Sequence, residues 1–443
     1  MRPPSPRRRA RALVAALALL PLAACATGTG AATREAAPST SAPVTSSLVV
    51  ADPAAAAVHA YALPGHELLG TLDGLAVHEH AGFVQLEDGR LLAAGQEPAE
   101  LVALTVTADG PQVVARTPLP GAAVHIAVDP DEGLAAVSTS STTEGEGAIT
   151  LVDLDSLEPR GTLDVATTEP GVVLAGGAVL HRDGAEQGTV ALYPADVAVG
   201  ADGPVEPTAS APTGAWAHGE AVVDGHLLQA TDAGLERFHV ARDHLDAEPT
   251  VPWSADGADW GRAYYLRVVG STSPRVWSYV RDQTADAWGE WRNDVWVLAP
   301  DADAAERRPL GTGLAFRFAV GGHRVLFARM HPDGYSAHVV DAAPGSPTFL
   351  DTLRTVPLPT PSGAPAADAD ADAVWSSPGR PIAALTPDGA TGYVSRGGDG
   401  VVDVLDVEAG TVTGTIDVPT PLDGGGYLVV ARSGEALVDL LGR

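Results

Sequence analysis

Ile149 to Val165 reads ITLVDLDSLEPRGTLDV, and Val402 to Val418 reads VDVLDVEAGTVTGTIDV. The two stretches align without a gap: Asp153 falls on Asp406, Gly161-Thr162 on Gly414-Thr415, and Asp164-Val165 on Asp417-Val418. A third copy, VHAYALPGHELLGTLDG, runs from Val58 to Gly74 and repeats the Gly-Thr-Leu-Asp at Gly70 to Asp73. Each copy reads as strand, turn, strand. Two copies are preceded by another matched strand pair, HIAVDPDEGLAAVS (His125 to Ser138) and PIAALTPDGATGYVS (Pro381 to Ser395).

The copies begin at Val58, Ile149 and Val402, 91 and then 253 residues apart. A four-stranded unit of roughly 40–50 residues fits both spacings as whole multiples. Between the copies, apolar runs of a few residues alternate with Asp73-Gly74, Asp88-Gly89, Asp109-Gly110, Asp224-Gly225, Asp333-Gly334 and Asp388-Gly389, the punctuation of antiparallel hairpins. No long stretch holds a helical apolar period. An all-β fold follows, and sheets repeated at this period close radially into a single β-propeller. The expected ring has about seven four-stranded blades, with eight as the alternative. An open two-sheet solenoid or two sandwiches would also satisfy the strands, but the likeness of first and last copies favours one closed ring. Six of the eight Trp lie between Trp253 and Trp296, where the repeat is poorly matched. Packing between blades is the expected role, with a sugar-binding platform as the alternative.

The chain has 443 residues, of which 45% are apolar and 5% aromatic, with 49 Gly and 36 Pro. That composition suits a turn-rich core and excludes disorder and helical bundles as the main state. All 27 basic residues are Arg; against 56 acids they leave a formal charge of −29, which disfavours nucleic acid as a partner. The single Cys excludes an intrachain disulfide and a thiolate zinc cluster.

Residues 1–24 predict a signal peptide: Arg7, Arg8, Arg9 and Arg11 precede an apolar run from Ala12 to Leu22 that is short for a membrane span. Leu22-Ala23-Ala24-Cys25 looks like a bacterial lipobox, so Cys25 is the expected lipidation site, and a plain secretory signal is the alternative. Residues 25–48 are small and polar and predict a flexible tether. The propeller is then expected over 49–443, anchored by lipid to the cell membrane on its extracytoplasmic face.

Three histidines share a register. His80 lies eight residues before Asp88, His125 six before Asp131 and His218 six before Asp224, each ahead of an apolar strand and a turn. The innermost strand of each blade lines the channel, so imidazoles at its start in several blades would converge. Three nitrogen donors with or without a carboxylate suit Zn²⁺. Glu220 is the candidate fourth ligand or the group that orients an imidazole. His78 lies on the same strand face as His80, so either could be the ligand. Asp368, Asp370 and Asp372 are expected to be a solvated loop, with weak Ca²⁺ binding as the alternative. No hydrolase or phosphate-binding motif occurs, and nothing pairs a nucleophile with a base, so an enzyme is not expected.

Leu48 to Leu75, Val124 to Ser138 and above all WAHGEAVVDGHLLQATDAGLERFHV (Trp216 to Val240) resemble the AztD-type zinc metallochaperones. These are secreted propellers that hand zinc to the solute-binding protein of a zinc ABC importer. The resemblance implies zinc as the bound metal, His125, His218 and His80 as ligands, and such a solute-binding protein as partner. The His/Asp-rich N-terminus of that family and the Cys pair flanking its His-Gly segment have no counterpart here. A monomer is expected, and the rival function is a metal-free propeller that scaffolds envelope proteins.

Overall fold

The computed structural model describes residues 42–442 except 78–79, 142, 144, 168–169, 185–187, 255–260, 271–272 and 433–440. The expected signal peptide, Cys25 and most of the tether lie outside the described residues, as does His78.

Eight sheets form a propeller, each built on four antiparallel strands and one of them widened to six. Blade 1 contains Ser46–Asp52, Ala57–Ala62 and Leu68–Asp73; its inner strand is Tyr427–Arg432, from the far end of the chain. Blades 2 to 8 begin with the inner strands Phe83–Gln85, Ala122–Asp129, Pro170–Ala175, Glu220–Val223, Arg267–Val269, Leu314–Gly321 and Ala383–Leu385. Blade 3 is widened by Asp202–Pro204 outside and by Leu441–Gly442 on its inner edge.

The ring therefore has eight blades, the alternative, rather than the favoured seven. The expectation of seven assumed insertions between blades, and the poorly matched Trp-rich middle left the count open. That segment instead forms an ordinary blade 6, with strands Arg267–Val269, Arg275–Asp282, Arg292–Leu298 and Glu306–Thr312. Its described tryptophans are packing groups: Trp253, Trp277, Trp288, Trp291 and Trp296 are all buried, and Trp253 meets Trp296 edge to face at 5.3 Å.

The three sequence copies occupy one structural position, the third and fourth strands of blades 1, 3 and 8. In each, the register slips by one residue just before the repeated Gly, opposite Ala60/Tyr61, Leu151/Val152 and Val404/Leu405. The shared motif thus encodes a β-bulge in the fourth strand; in blades 1 and 8 that strand is the edge, which the bulge bends away from pairing with another chain, while in blade 3 Thr162 to Asp164 pair with Asp202–Pro204. Middle strands such as Leu91–Gly95 are buried throughout, while outer strands such as Leu68–Asp73 alternate or face solvent.

The seam is closed by hydrogen bonds. Ser46–Asp52 pairs antiparallel with Tyr427–Arg432. Gln85, on the inner strand of blade 2, donates to the Arg432 carbonyl at 2.8 Å and accepts from its N–H at 3.0 Å. Asp52 accepts from Leu422 N at 2.8 Å and from Ala55 N at 3.1 Å. Asp370 caps the short helix Ala371–Trp375 by accepting from Ala373 N at 2.8 Å, which gives one member of the Asp368 to Asp372 run a structural task.

Candidate metal site

His80, His125 and His218 come from blades 2, 3 and 5 and meet. Their ring centroids form a nearly equilateral triangle: 6.2 Å between His80 and His125, 6.1 Å between His80 and His218, and 6.5 Å between His125 and His218. A tetrahedral site with Zn–N bonds of about 2.0–2.1 Å would hold such centroids about 5 Å apart. The rings must therefore close by roughly 1 Å to share one ion.

Each imidazole is aimed by its local backbone. His80 lies in the turn that leads into Phe83–Gln85. His125 lies within its inner strand, where a register slip between Ala123 and His125 re-aims the side chain. Its N–H donates to Ser138 Oγ at 3.2 Å, and Ser138 in turn donates to the Pro170 carbonyl at 3.0 Å. His218 N donates to Ala230 O at 2.9 Å. The next residue, Gly219, has φ of +88°, and a Cβ there would stand 2.6 Å from the Tyr264 carbonyl. The His-Gly pair is thus required by a left-handed turn pressed against Tyr264. That same carbonyl lies 3.2 Å from His218 Nδ1, which donates to it and leaves Nε2 with its lone pair.

His125 is buried, with 5% of its surface exposed, and its Nε2 has no hydrogen-bond partner among the described residues. Burial holds this imidazole well below its ordinary pKa; Glu220 opposes the shift, while Arg182, His218 and His80 add to it. At neutral pH the ring is uncharged, the state a metal requires. An uncharged imidazole whose centroid lies 6.2 and 6.5 Å from those of two further imidazoles fits a borderline divalent cation.

Glu220, expected as a ligand or an orienting carboxylate, opens the inner strand of blade 5 and is fully buried. Its Oε1 accepts from Arg182 Nε at 2.5 Å, and Arg182 also donates to Ala217 O at 2.8 Å. Arg182 was not among the residues singled out from sequence. It comes from the second strand of blade 4, Ala178–Asp183, opposite Gly171 on the inner strand. A Cβ at Gly171 would stand 2.6 Å from both Arg182 Nε and Glu220 Oε1. Glycine therefore opens the path by which the guanidinium reaches blade 5. The sequence held no signal for it, because the pairing of Gly171 with Arg182 is visible only once the hairpin register is known.

No family model matches the chain, and no curated relative matches it. Among solved structures it is similar to AztD from Citrobacter koseri, in apo form and in a second crystal structure. For each the TM-score is 0.62 at 14% identity, covering 89% of this chain and 100% of that one. It is also similar to dihydro-heme d1 dehydrogenase NirN in complex with DHE, with TM-score 0.59 at 13% identity, over 88% of this chain and 75% of that one. These likenesses establish the fold, and the propeller that the sequence resemblance implied is the fold observed.

Proposed function

We propose that this chain is an extracytoplasmic zinc metallochaperone. In this reading His80, His125 and His218 bind Zn²⁺ reversibly, and the ion passes by ligand exchange to the solute-binding protein of a zinc ABC importer. The observation that carries the reading is the triangle of imidazoles from three separate blades, one corner of which, His125, is buried with its Nε2 unpartnered among the described residues.

The chemistry supports a carrier rather than a permanent structural site. Three neutral donors leave a tetrahedral ion with one position that an acceptor's ligand can take. His80 and His218 are only partly buried, so an approaching donor can reach the ion from their side. The Glu220–Arg182 pair contributes no net charge beneath the imidazoles. The acidic surface raises the local cation concentration without selecting among cations. Cys25, lipidated, holds the propeller at the membrane where an importer would work.

Equilibrium dialysis with zinc, comparing wild type with His125→Ala plus His218→Ala, tests the site. The expected result is loss of the tight equivalent in the double variant; equal sub-micromolar binding by both would reject it. Transfer is tested by mixing the zinc-loaded chain with a metal-free solute-binding protein. Movement of zinc faster than its spontaneous release into chelator is expected, and equal rates reject direct exchange. Replacing Cys25 by Ser should release the protein from membranes; unchanged membrane association rejects the anchor.

A further inference from the structure

A second group of donors lies on the rim of blade 5, far from the channel. The two outer strands, Leu235–Ala241 and His244–Ala247, form a tight hairpin in which His239 pairs with Asp246 and Ala241 with His244. Side chains two residues apart share a strand face, so His244 and Asp246 stand on the same side as His239. One nitrogen from each imidazole and one carboxylate oxygen of Asp246 lie within 4.8 Å of one another. Neighbouring donors around a tetrahedral ion stand about 3.3–3.5 Å apart, and these three side chains are exposed and free to rotate that far.

The hydrogen bonding around the group is an independent indication. His244 Nδ1 lies 3.0 Å from Asp243 Oδ1, and since a carboxylate only accepts, Nδ1 carries the proton. In the neutral ring Nε2 is then the lone-pair nitrogen, and it lies on the side of Asp246, 3.7 Å from Oδ2. A carboxylate that fixes the tautomer of an imidazole whose other nitrogen points at further donors is the arrangement found behind metal-ligating histidines. His226 closes the opposite side, edge to face with His239 at 5.4 Å. It is itself held by the Asp224 carbonyl at 2.9 Å and by Glu248 at 3.2 Å.

We infer that His239, His244 and Asp246 form a second, solvent-facing site for a borderline divalent cation such as Zn²⁺, with Asp243 as the residue that positions His244. Two imidazoles and one carboxylate favour such an ion over Ca²⁺ or Mg²⁺, which take all-oxygen sets. The site lies three strand spacings outward from the inner strand of its blade, about 14 Å at about 4.8 Å per strand. One ion cannot serve both places, so the rim site does not require the central triad to bind metal. It would load from bulk solvent and exchange quickly.

The test is calorimetric titration of the full chain with zinc alone, with Co²⁺ absorption as a second readout. Wild type should take two equivalents of unequal affinity. His239→Ala plus His244→Ala should lose only the weaker, and Asp243→Asn should weaken that equivalent about tenfold or more. His125→Ala plus His218→Ala should keep it. A single wild-type equivalent that disappears in the rim variant would support the rim site and count against the central one. Unchanged stoichiometry and affinities in the rim variant would overturn the inference. These side chains are exposed, so an unchanged melting temperature should confirm that the variants are folded.

Discussion

Arg182 and Glu220 show how much a single buried contact can decide. Both side chains are about 2% exposed, and they meet at 2.5 Å. Removing one partner leaves an uncompensated charge in a dry place, at a cost of about 3–5 kcal/mol, while replacing both by apolar groups is often close to neutral. Arg182→Met and Glu220→Leu should each lower the urea midpoint strongly, and the double variant should recover most of the loss. Simple addition of the two single effects would show that the pair is not coupled. Glu220→Gln should also weaken zinc binding, because it leaves the guanidinium unbalanced beside a cation. The convergence of the three imidazoles was legible from sequence because each lies at or just before an inner strand, six to eight residues ahead of a turn Asp. Arg182 was not, because it reaches the site from a second strand through the gap at Gly171, and pairing across a hairpin is invisible until register is known. Glu220 was legible as a nearby carboxylate, but its commitment to Arg182 was not.

At the scale of strands and blades, the readable part of the sequence was the bulged outer hairpin. Gly70, Gly161 and Gly414 each follow a register slip at the same place in a blade. The same slip occurs in blades 2, 6 and 7 without the full motif, at Ala103/Leu104, Asn293/Asp294 and Val339/Val340. That is why the period was clear and the count was not: the geometry recurs where the residues do not. Ring closure was legible only as a likeness between first and last copies. Its chemistry is the seam, where Asp52 is 1% exposed and receives two backbone N–H groups, one from Leu422. Hydrogen bonds to a charged acceptor are worth about 1.5–3 kcal/mol each, and a buried donor left behind adds its own penalty. Asp52→Ala should therefore lower stability by about 2–4 kcal/mol in denaturant titration and raise amide exchange first in Ser46–Asp52 and Tyr427–Arg432. A loss spread evenly over all blades would place the weak point elsewhere than the seam.

The molecule as a whole buries uncharged imidazoles, and this sets its response to acid. His181 and His338 are both pushed down to about 4, chiefly by burial, with Arg182 acting on the first and Arg329 on the second in the same direction. Above about pH 6.5 neither ring is protonated in the folded or unfolded chain, so neither affects the balance. Between about 6.5 and 4 the unfolded chain binds protons that the folded chain refuses, so stability falls as pH falls. Each ring contributes a slope approaching 1.4 kcal/mol per pH unit in that window. The denaturation midpoint should therefore be nearly flat from pH 8 to 7 and drop steeply from 6 to 5. His338→Gln, which can keep a hydrogen bond to Ser336, should make the drop shallower by about 1 kcal/mol per unit without changing the plateau. A midpoint independent of pH between 7 and 5 would mean that these rings are solvated or already charged. His125 belongs to the same class, since burial keeps it neutral and its lone pair available. Acid therefore opposes the fold, and would oppose the proposed metal binding, through one physical cause, the exclusion of charged imidazole from the interior. A carrier built this way would release its ion and lose stability over the same range of pH, and measuring zinc affinity and unfolding side by side from pH 7 to 5 would show whether the two curves fall together.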